Sequence, residues 1–353
     1  MLHHHGQFYD VLFPGQRVPP PVDPGAGHFG VELFFIISGF VIFMTIERKE
    51  TVREFAVSRL TRLMPTFVVA MLLATALLLL WPMPPLQSPT LRQFLANLTM
   101  APTFFGELEI DMPYWTLTYE LVFYVFMAVV MALGLLRSTE WIGLAGIAIS
   151  CVFIATLDVR LHHRSAIVLL VYYSSFFLIG ICLYHIHQRT ARPITYVVLA
   201  VAIAATAMGG GERSFHTPGS IYLPLTMALT LFVWFAGEHG HLIAWRPLIF
   251  LGRISYPLYL VHVAVGFQII RLGVERGWST VTGIALATVV CLAVATLLHY
   301  AVELPGQRWG RALAKRHAIV PPGPAAQTGQ AWSTAPVARP NPTPASTGHI
   351  PPG

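Results

Sequence analysis

Apolar positions fall along this chain in runs, not in stripes. Nine runs of about 16 to 24 residues, each long enough to cross a hydrocarbon core of roughly 30 Å as a helix, predict spans over 31–46, 64–81, 113–136, 141–157, 165–186, 194–208, 221–236, 254–270 and 281–299. The alternating ten-residue pattern of an outer-membrane barrel is absent. Polar and glycine- or proline-rich stretches punctuate the runs, and residues 11–26 read as a loop. The expected fold class is therefore all-α: a polytopic membrane helical bundle over residues 1–317. A Pro-, Ala- and Thr-rich tail over 318–353 is too poor in apolar side chains to fold, and is expected to be disordered.

Composition agrees with this class. Of the 353 residues 55% are hydrophobic and 11% charged, and the mean hydropathy is +0.63, whereas a soluble domain carries roughly 25% charge. The net charge of +6 raises nucleic acid as a partner, but its distribution answers differently. Segments following the odd-numbered spans carry fourteen Lys and Arg up to residue 317, and the opposite segments carry seven. Cytoplasmic loops retain such residues, so the excess reads as a topology signal. The bilayer is the partner it implies, the C-terminus is expected in the cytoplasm, and nucleic acid has no place. Cys151, Cys182 and Cys291 lie inside apolar runs without paired spacing, which indicates packing and neither a disulfide framework nor a metal site.

An odd span count puts the N-terminus outside, with no signal segment in the first thirty residues to take it there. A first helix cut short near Met1–His5 would restore an even count.

Ionisable groups inside spans cost a few kcal/mol and are retained for a reason. Glu32 and Glu120 fall near the outer ends of their runs, His262 near the middle of 254–270, and His299 and Glu303 near an inner end. Arg59 and Arg62 stand three residues apart at a helix start, where two guanidiniums on one face suit phosphate groups; anchoring the helix is the alternative. Trp115, Tyr114 and Tyr119 fit an interfacial aromatic belt. Ser38 and Gly39 fit close helix packing, and no base stands beside Ser38 to activate it.

Five stretches carry a resemblance, in order: GVELFFIISGFVI (30–42), FAVSRLTRLMP, YWTLTYELVFYVF (114–126), ISYPLYLVHVAV (254–265) and VELPGQR (302–308). Together they resemble the acyltransferase family 3 of membrane O-acyltransferases, whose segments read approximately GVDLFFVLSGFLI, Arg-x-x-Arg, WSLxxExxFY, SYxxYLxH and ExP. The resemblance implies ten or more helices moving an acyl group, often acetyl from cytoplasmic acetyl-CoA, onto a hydroxyl of a sugar or cell-envelope glycan. It implies no permanently bound cofactor, acyl-CoA being a co-substrate, and an inner-membrane location. It also implies a catalytic histidine in the first helix, aligned here with His4. On the residues alone His3–His5 read as a solvated chain end. The basic residue that precedes that histidine in the family has no counterpart.

A neutral imidazole suits removal of a hydroxyl proton, and Glu120 or Glu32 is the candidate carboxylate to fix its tautomer. The expected site is thus His4, Glu120 and Glu32 for chemistry, with Arg59, Arg62, His262, Trp115 and Ser38 for donor and substrate. The alternatives are an inactive or regulatory remnant of such an enzyme, and a small-molecule transporter, although paired broken helices in corresponding halves are not evident.

Overall fold

The computed structural model describes residues 30–82, 88–157, 162–206, 219–240 and 244–317. Its elements are α1 (Gly30–Ile46), α2 (Val52–Leu80), α3 (Leu91–Asn97), α4 (Trp115–Ala132), α5 (Thr139–Thr156), α6 (His163–Val168) and α7 (Ser174–His187). They continue as α8 (Pro193–Thr206), α9 (Gly219–His239), α10 (Arg246–Val261), α11 (Ala264–Glu275), α12 (Thr280–Leu298), a π-helical turn (His299–Glu303) and α13 (Leu304–His317). No strand occurs among the described residues, so the fold is all-α. Four described spans are long and apolar enough to cross a membrane, Val52–Leu80, Met112–Ala132, Leu136–Thr156 and Thr280–Leu313, and the bent pair α10 and α11 makes up to five. Helices α1, α7 and α8 are apolar but shorter. Outward-facing Leu, Val, Trp and Phe side chains on these helices, such as Leu72, Leu79, Val125, Val129, Trp141 and Val289, present the apolar exterior that lipid requires. The protein is a multi-pass membrane bundle. The tail expected over 318–353 lies outside the described residues.

Helix ends follow from local chemistry. The Thr51 and Ser279 hydroxyls accept from the N–H groups three residues on and cap α2 and α12. Helix α4 stops at Ala132, short of the expected 136, because Gly134 takes a left-handed conformation (φ +69°). The Leu135 N–H then reaches back to the Val130 carbonyl at 2.9 Å, closing a Schellman turn.

Two expected spans are not continuous. The run 165–186 divides into α6 and α7, where Leu170 adopts φ +53° and Val171 N–H bonds the Ala166 carbonyl at 2.9 Å. That is the same turn without the glycine that would announce it, held in place because Leu170, Val171 and Tyr173 are buried. The run 254–270 divides into α10 and α11, bent by 69°.

The core forms where α1 crosses α7 at very short range. A methyl group added at Gly39 would lie 2.1 Å from the Phe177 carbonyl oxygen, and one at Gly180 would lie 2.0 Å from that of Ile36. Ser38–Gly39 therefore does mark close helix packing. Around the crossing, Phe35 meets Tyr173 (4.4 Å between ring centres) and Phe177 (4.9 Å), while Phe123 of α4 stacks on Phe177 at 3.9 Å. The register of the ring pairs, Phe35 with Tyr173 and Phe43 with Tyr184 along α1, Tyr119 with Tyr173 and Phe123 with Phe177 along α4, has α1, α4 and α7 running the same way. Cys182 and Cys291 are buried and Cys151 is half-buried, all as free thiols.

Candidate functional site

Arg59 enters the bundle from the first half of α2. Its guanidinium, in a side chain only 4% exposed, donates to the Val41 carbonyl at 3.1 Å and to the Thr45 hydroxyl, both on α1. It lies 5.9 Å from the Phe55 ring centre and 5.6 Å from that of Tyr124. Its Nε finds no acceptor, and it forms no ion pair among the described residues. Arg62, one turn on, is half-buried.

Facing this pair from α4 is Glu120, 6% exposed, whose Oε1 accepts from the Tyr124 hydroxyl at 2.5 Å. Residues four apart share a helix face, so the sequence ELVFY turns both inward. Glu120 lies within electrostatic range of both Arg59 and Arg62. From α10, Tyr256 donates to the Leu63 carbonyl at 3.0 Å and stands in the fields of Glu120, Tyr124 and Glu303. The structure thus brings Arg59, Arg62 and Glu120 together and adds Tyr124 and Tyr256.

His262 belongs to the break between α10 and α11. A broken helix frees backbone groups that hydrocarbon cannot satisfy, and here side chains take them up. His262 Nδ1 lies 2.8 Å from the Tyr259 carbonyl, and Tyr114 donates to the Leu260 carbonyl at 3.0 Å. Asp111, 1% exposed, accepts from the Ala264 N–H at 3.1 Å. Cys291 Sγ lies 3.9 Å from the His262 carbonyl. Tyr259 reaches the Pro113 carbonyl and the Thr116 hydroxyl. Pro257 contributes from within α10, since it has no N–H for the Arg253 carbonyl. Burial pushes the Asp111 carboxyl up to about 7, against the lowering effect of the Ala264 and Met112 N–H groups. Continuous apolar patterning hid this break: Pro257, Tyr259 and His262 belong to the run itself, but the groups they and the freed backbone meet, Asp111, Pro113, Tyr114, Thr116 and Cys291, lie elsewhere in the chain.

Glu32 sits in the first turn of α1, 6% exposed, and its Oε2 has no hydrogen-bond partner. Trp115 packs edge-on to Tyr119 at 5.8 Å and against Tyr173 at 5.8 Å, inside an aromatic cluster as well as at a helix end. Ser38 is buried at the α1–α7 crossing. No hydrogen bond or ion pair among the described residues joins Glu32 to Glu120, Arg59 or His262. His4, with His3 and His5, lies outside the described residues.

The π-helical turn holds a further pair. Pro305 cannot sit in a regular helix turn without its ring meeting the carbonyl four residues back. The turn widens, Leu304 N–H bonds the His299 carbonyl five residues back, and Glu303 meets His299 Nδ1 at 2.8 Å and Gln307 Nε2 at 3.1 Å. This turn packs along α2, where Gly306 allows close approach to Pro65 and to the Thr61 carbonyl that Pro65 leaves without its helical donor.

Asp111, Tyr124, Tyr256 and Tyr259 were not singled out by sequence reasoning. Three of them stand in stretches quoted for the resemblance, and Asp111 stands two residues before Pro113, in what reads as loop.

With that geometry in place, a family model described as an acyltransferase domain matches residues 2–300. The chain belongs to the acyltransferase 3 family. Neither a search of curated proteins nor one of solved structures returned a match. The acyltransferase 3 match runs from before α1 through the end of α12. The buried Arg–Glu–Tyr group and the broken helix are therefore both parts of a membrane acyltransferase domain.

Proposed function

We propose that this membrane acyltransferase transfers an acyl group, acetyl in the simplest case, from a cytoplasmic acyl-CoA to a hydroxyl of a carbohydrate or cell-envelope glycan. In this reading it lies in the bacterial inner membrane with its C-terminus in the cytoplasm, as the Lys and Arg distribution favours. The observation that carries the reading is Arg59. A buried guanidinium that forms no ion pair among the described residues is costly, and its unmet Nε calls for an acceptor. A phosphate of coenzyme A, held together with Arg62, supplies both charge and acceptors.

His4 takes the proton of the acceptor hydroxyl as that oxygen bonds the thioester carbonyl carbon. The carbon–sulfur bond then breaks, and the coenzyme A thiolate leaves with the proton from His4. Glu120, held by Tyr124, stabilises the positive charge that passes through the imidazole. His262 holds the broken helix, which orients the surrounding tyrosines.

The transporter alternative gains the break between α10 and α11. Against it, the freed Tyr259, Leu260 and Ala264 backbone groups are already bonded within the chain, which leaves no ring of carbonyls for an ion.

The test is label transfer from radiolabelled acetyl-CoA into isolated envelope glycans by the parent, His4→Ala and Arg59→Ala proteins. Arg59→Ala is expected to raise the KM for acetyl-CoA about 10- to 100-fold, the worth of a hydrogen bond to a charged group. His4→Ala is expected to abolish transfer. Equal incorporation in all three rejects the residue assignment, and none in the parent favours the inactive remnant.

A further inference from the structure

We infer that the segment 91–111 is set into the membrane at the end of the bundle where α2 stops and α4 begins, with Leu91, Leu95, Phe105 and Leu108 resting among the acyl chains of that leaflet. Its partner is the lipid itself, and the segment is a re-entrant lip, not a loop in water. The inference goes beyond the acyl-transfer reading and does not rest on it.

Depth follows from two hydrogen bonds. The span Met112–Ala132 has 21 residues, about 31 Å of helix and so the thickness of a hydrocarbon core. The Thr118 hydroxyl, six residues inside it, donates to the Met100 carbonyl at 3.0 Å. Met100 therefore lies about 9 Å below the end of the span. It is buried there in a left-handed conformation (φ +60°), with its N–H on the Asn97 carbonyl at 3.0 Å. Helix α3 stops at Asn97 and is only about 10 Å long, so it cannot rise far past that end however it is tilted. On the entering side, the Ser88 hydroxyl lies 3.5 Å from the Leu78 carbonyl. That ties the start of the segment to the level of the exposed Leu79, Leu80 and Trp81 at the end of α2, where a tryptophan marks the membrane boundary.

The polarity of the segment suits lipid. Its polar side chains serve its own backbone. Asn97 donates to the Gln93 and Leu108 carbonyls, both at 2.9 Å, and accepts from the Ile110 N–H at 3.1 Å. Gln93 donates to the Leu108 carbonyl at 3.2 Å, and the Thr99 hydroxyl to that of Ala96 at 2.6 Å. Thr90 caps α3 through the Gln93 N–H. Irregular backbone at membrane depth needs its polar groups met within the protein in this way. The large apolar side chains are turned outward instead: Leu91 and Leu108 are 74% and 76% exposed, Leu95 and Phe105 54% each. Leu91 and Leu95 share a helix face. In water this would invert the usual arrangement of a loop; in lipid it leaves nothing unmet. Arg92 pairs with Glu107 at 2.7 Å and keeps its side chain exposed, as a cation reaching for the headgroups does. A soluble partner could cover such side chains only above the bilayer, and the Thr118 bond holds the segment below that level.

The experiment uses the full chain in nanodiscs. Nitroxide labels are attached at Leu95→Cys and Leu108→Cys, with Val125→Cys on the lipid-facing side of α4 and the exposed Glu50→Cys as references, all carrying Cys151→Ser because that thiol is half-buried. Collision with oxygen and with a water-soluble nickel chelate reads the depth of each label. The labels at 95 and 108 are expected to match Val125, with loss of most of the nickel contact seen at Glu50. A second measurement needs no substitution: a phospholipid carrying a diazirine on its acyl chain is photolysed beside the parent protein, and the labelled peptides are mapped. Adducts are expected between residues 91 and 108. Nickel contact at 95 and 108 equal to that at Glu50 overturns the inference and points to a covering partner, and so does a parent chain with adducts on the spans but none in this segment.

Discussion

Replacing Gly39 or Gly180 with alanine drives a methyl group into the backbone of the neighbouring helix. The added carbon would lie 2.1 Å from the Phe177 carbonyl oxygen in the first case and 2.0 Å from that of Ile36 in the second, where 3.0 Å is the least that real contacts allow. Helices α1 and α7 must therefore separate by about 1 Å, since a backbone carbonyl cannot swing aside as a flexible side chain can. A gap of that size forfeits a quarter to a half of each dispersion contact along the seam. The stacked Phe123–Phe177 and tilted Phe35–Phe177 pairs are the first to suffer. Overpacking of this kind costs about 3 kcal/mol at its upper range, and alanine returns about 1 kcal/mol through helix propensity, which leaves a loss of about 2 kcal/mol for either variant. Because the first substitution already opens the crossing, the double variant should lose only about 2 to 3 kcal/mol, well short of the sum. Thermal unfolding of detergent-solubilised protein, followed by circular dichroism, reads this as a fall of several degrees for each single variant. Single variants as stable as the parent, or strictly additive losses, would refute the close crossing.

Two other outcomes follow from the polar groups. Asp111 has its carboxyl raised to about 7 from 3.8, so its contribution to stability is fully present below pH about 4 and is lost as pH rises through 7. The parent's melting temperature should fall between pH 5 and 7 and level off above it, and Asp111→Asn should flatten that slope; a slope identical in both proteins rejects the assignment. Tyr124→Phe removes the donor to Glu120 and should cost about 1 to 3 kcal/mol of stability. Combined with Glu120→Gln it should add little more, which a double-mutant cycle measures.

Long apolar runs and a low charge content were enough to determine the class of this protein, because nothing but lipid makes such runs stable. Order along the chain of GVELFFIISGF, SRLTRL, YWTLTYE and SYPLYLVH was enough to indicate its family. The bond between Tyr124 and Glu120, four residues apart on one helix face, emerged only with the structure. What a linear reading could not reach was the interruption of helices at Leu170 and at His262. A left-handed leucine is held by tertiary burial that overrides its local preference, and the bend before α11 is stabilised by Asp111 and Tyr114, some 150 residues away in sequence. Likewise, the spacing of Arg59 and Arg62 reads as a phosphate-binding pair or as a helix anchor and does not separate the two. Only when Thr45, Val41, Tyr124 and Glu120 are folded around it does Arg59 become a buried cation with an unmet donor. Sequence fixes which polar groups must enter the membrane; the crossing of α1, α4 and α7 decides which of them are left wanting a partner, and therefore where a ligand gains most by binding.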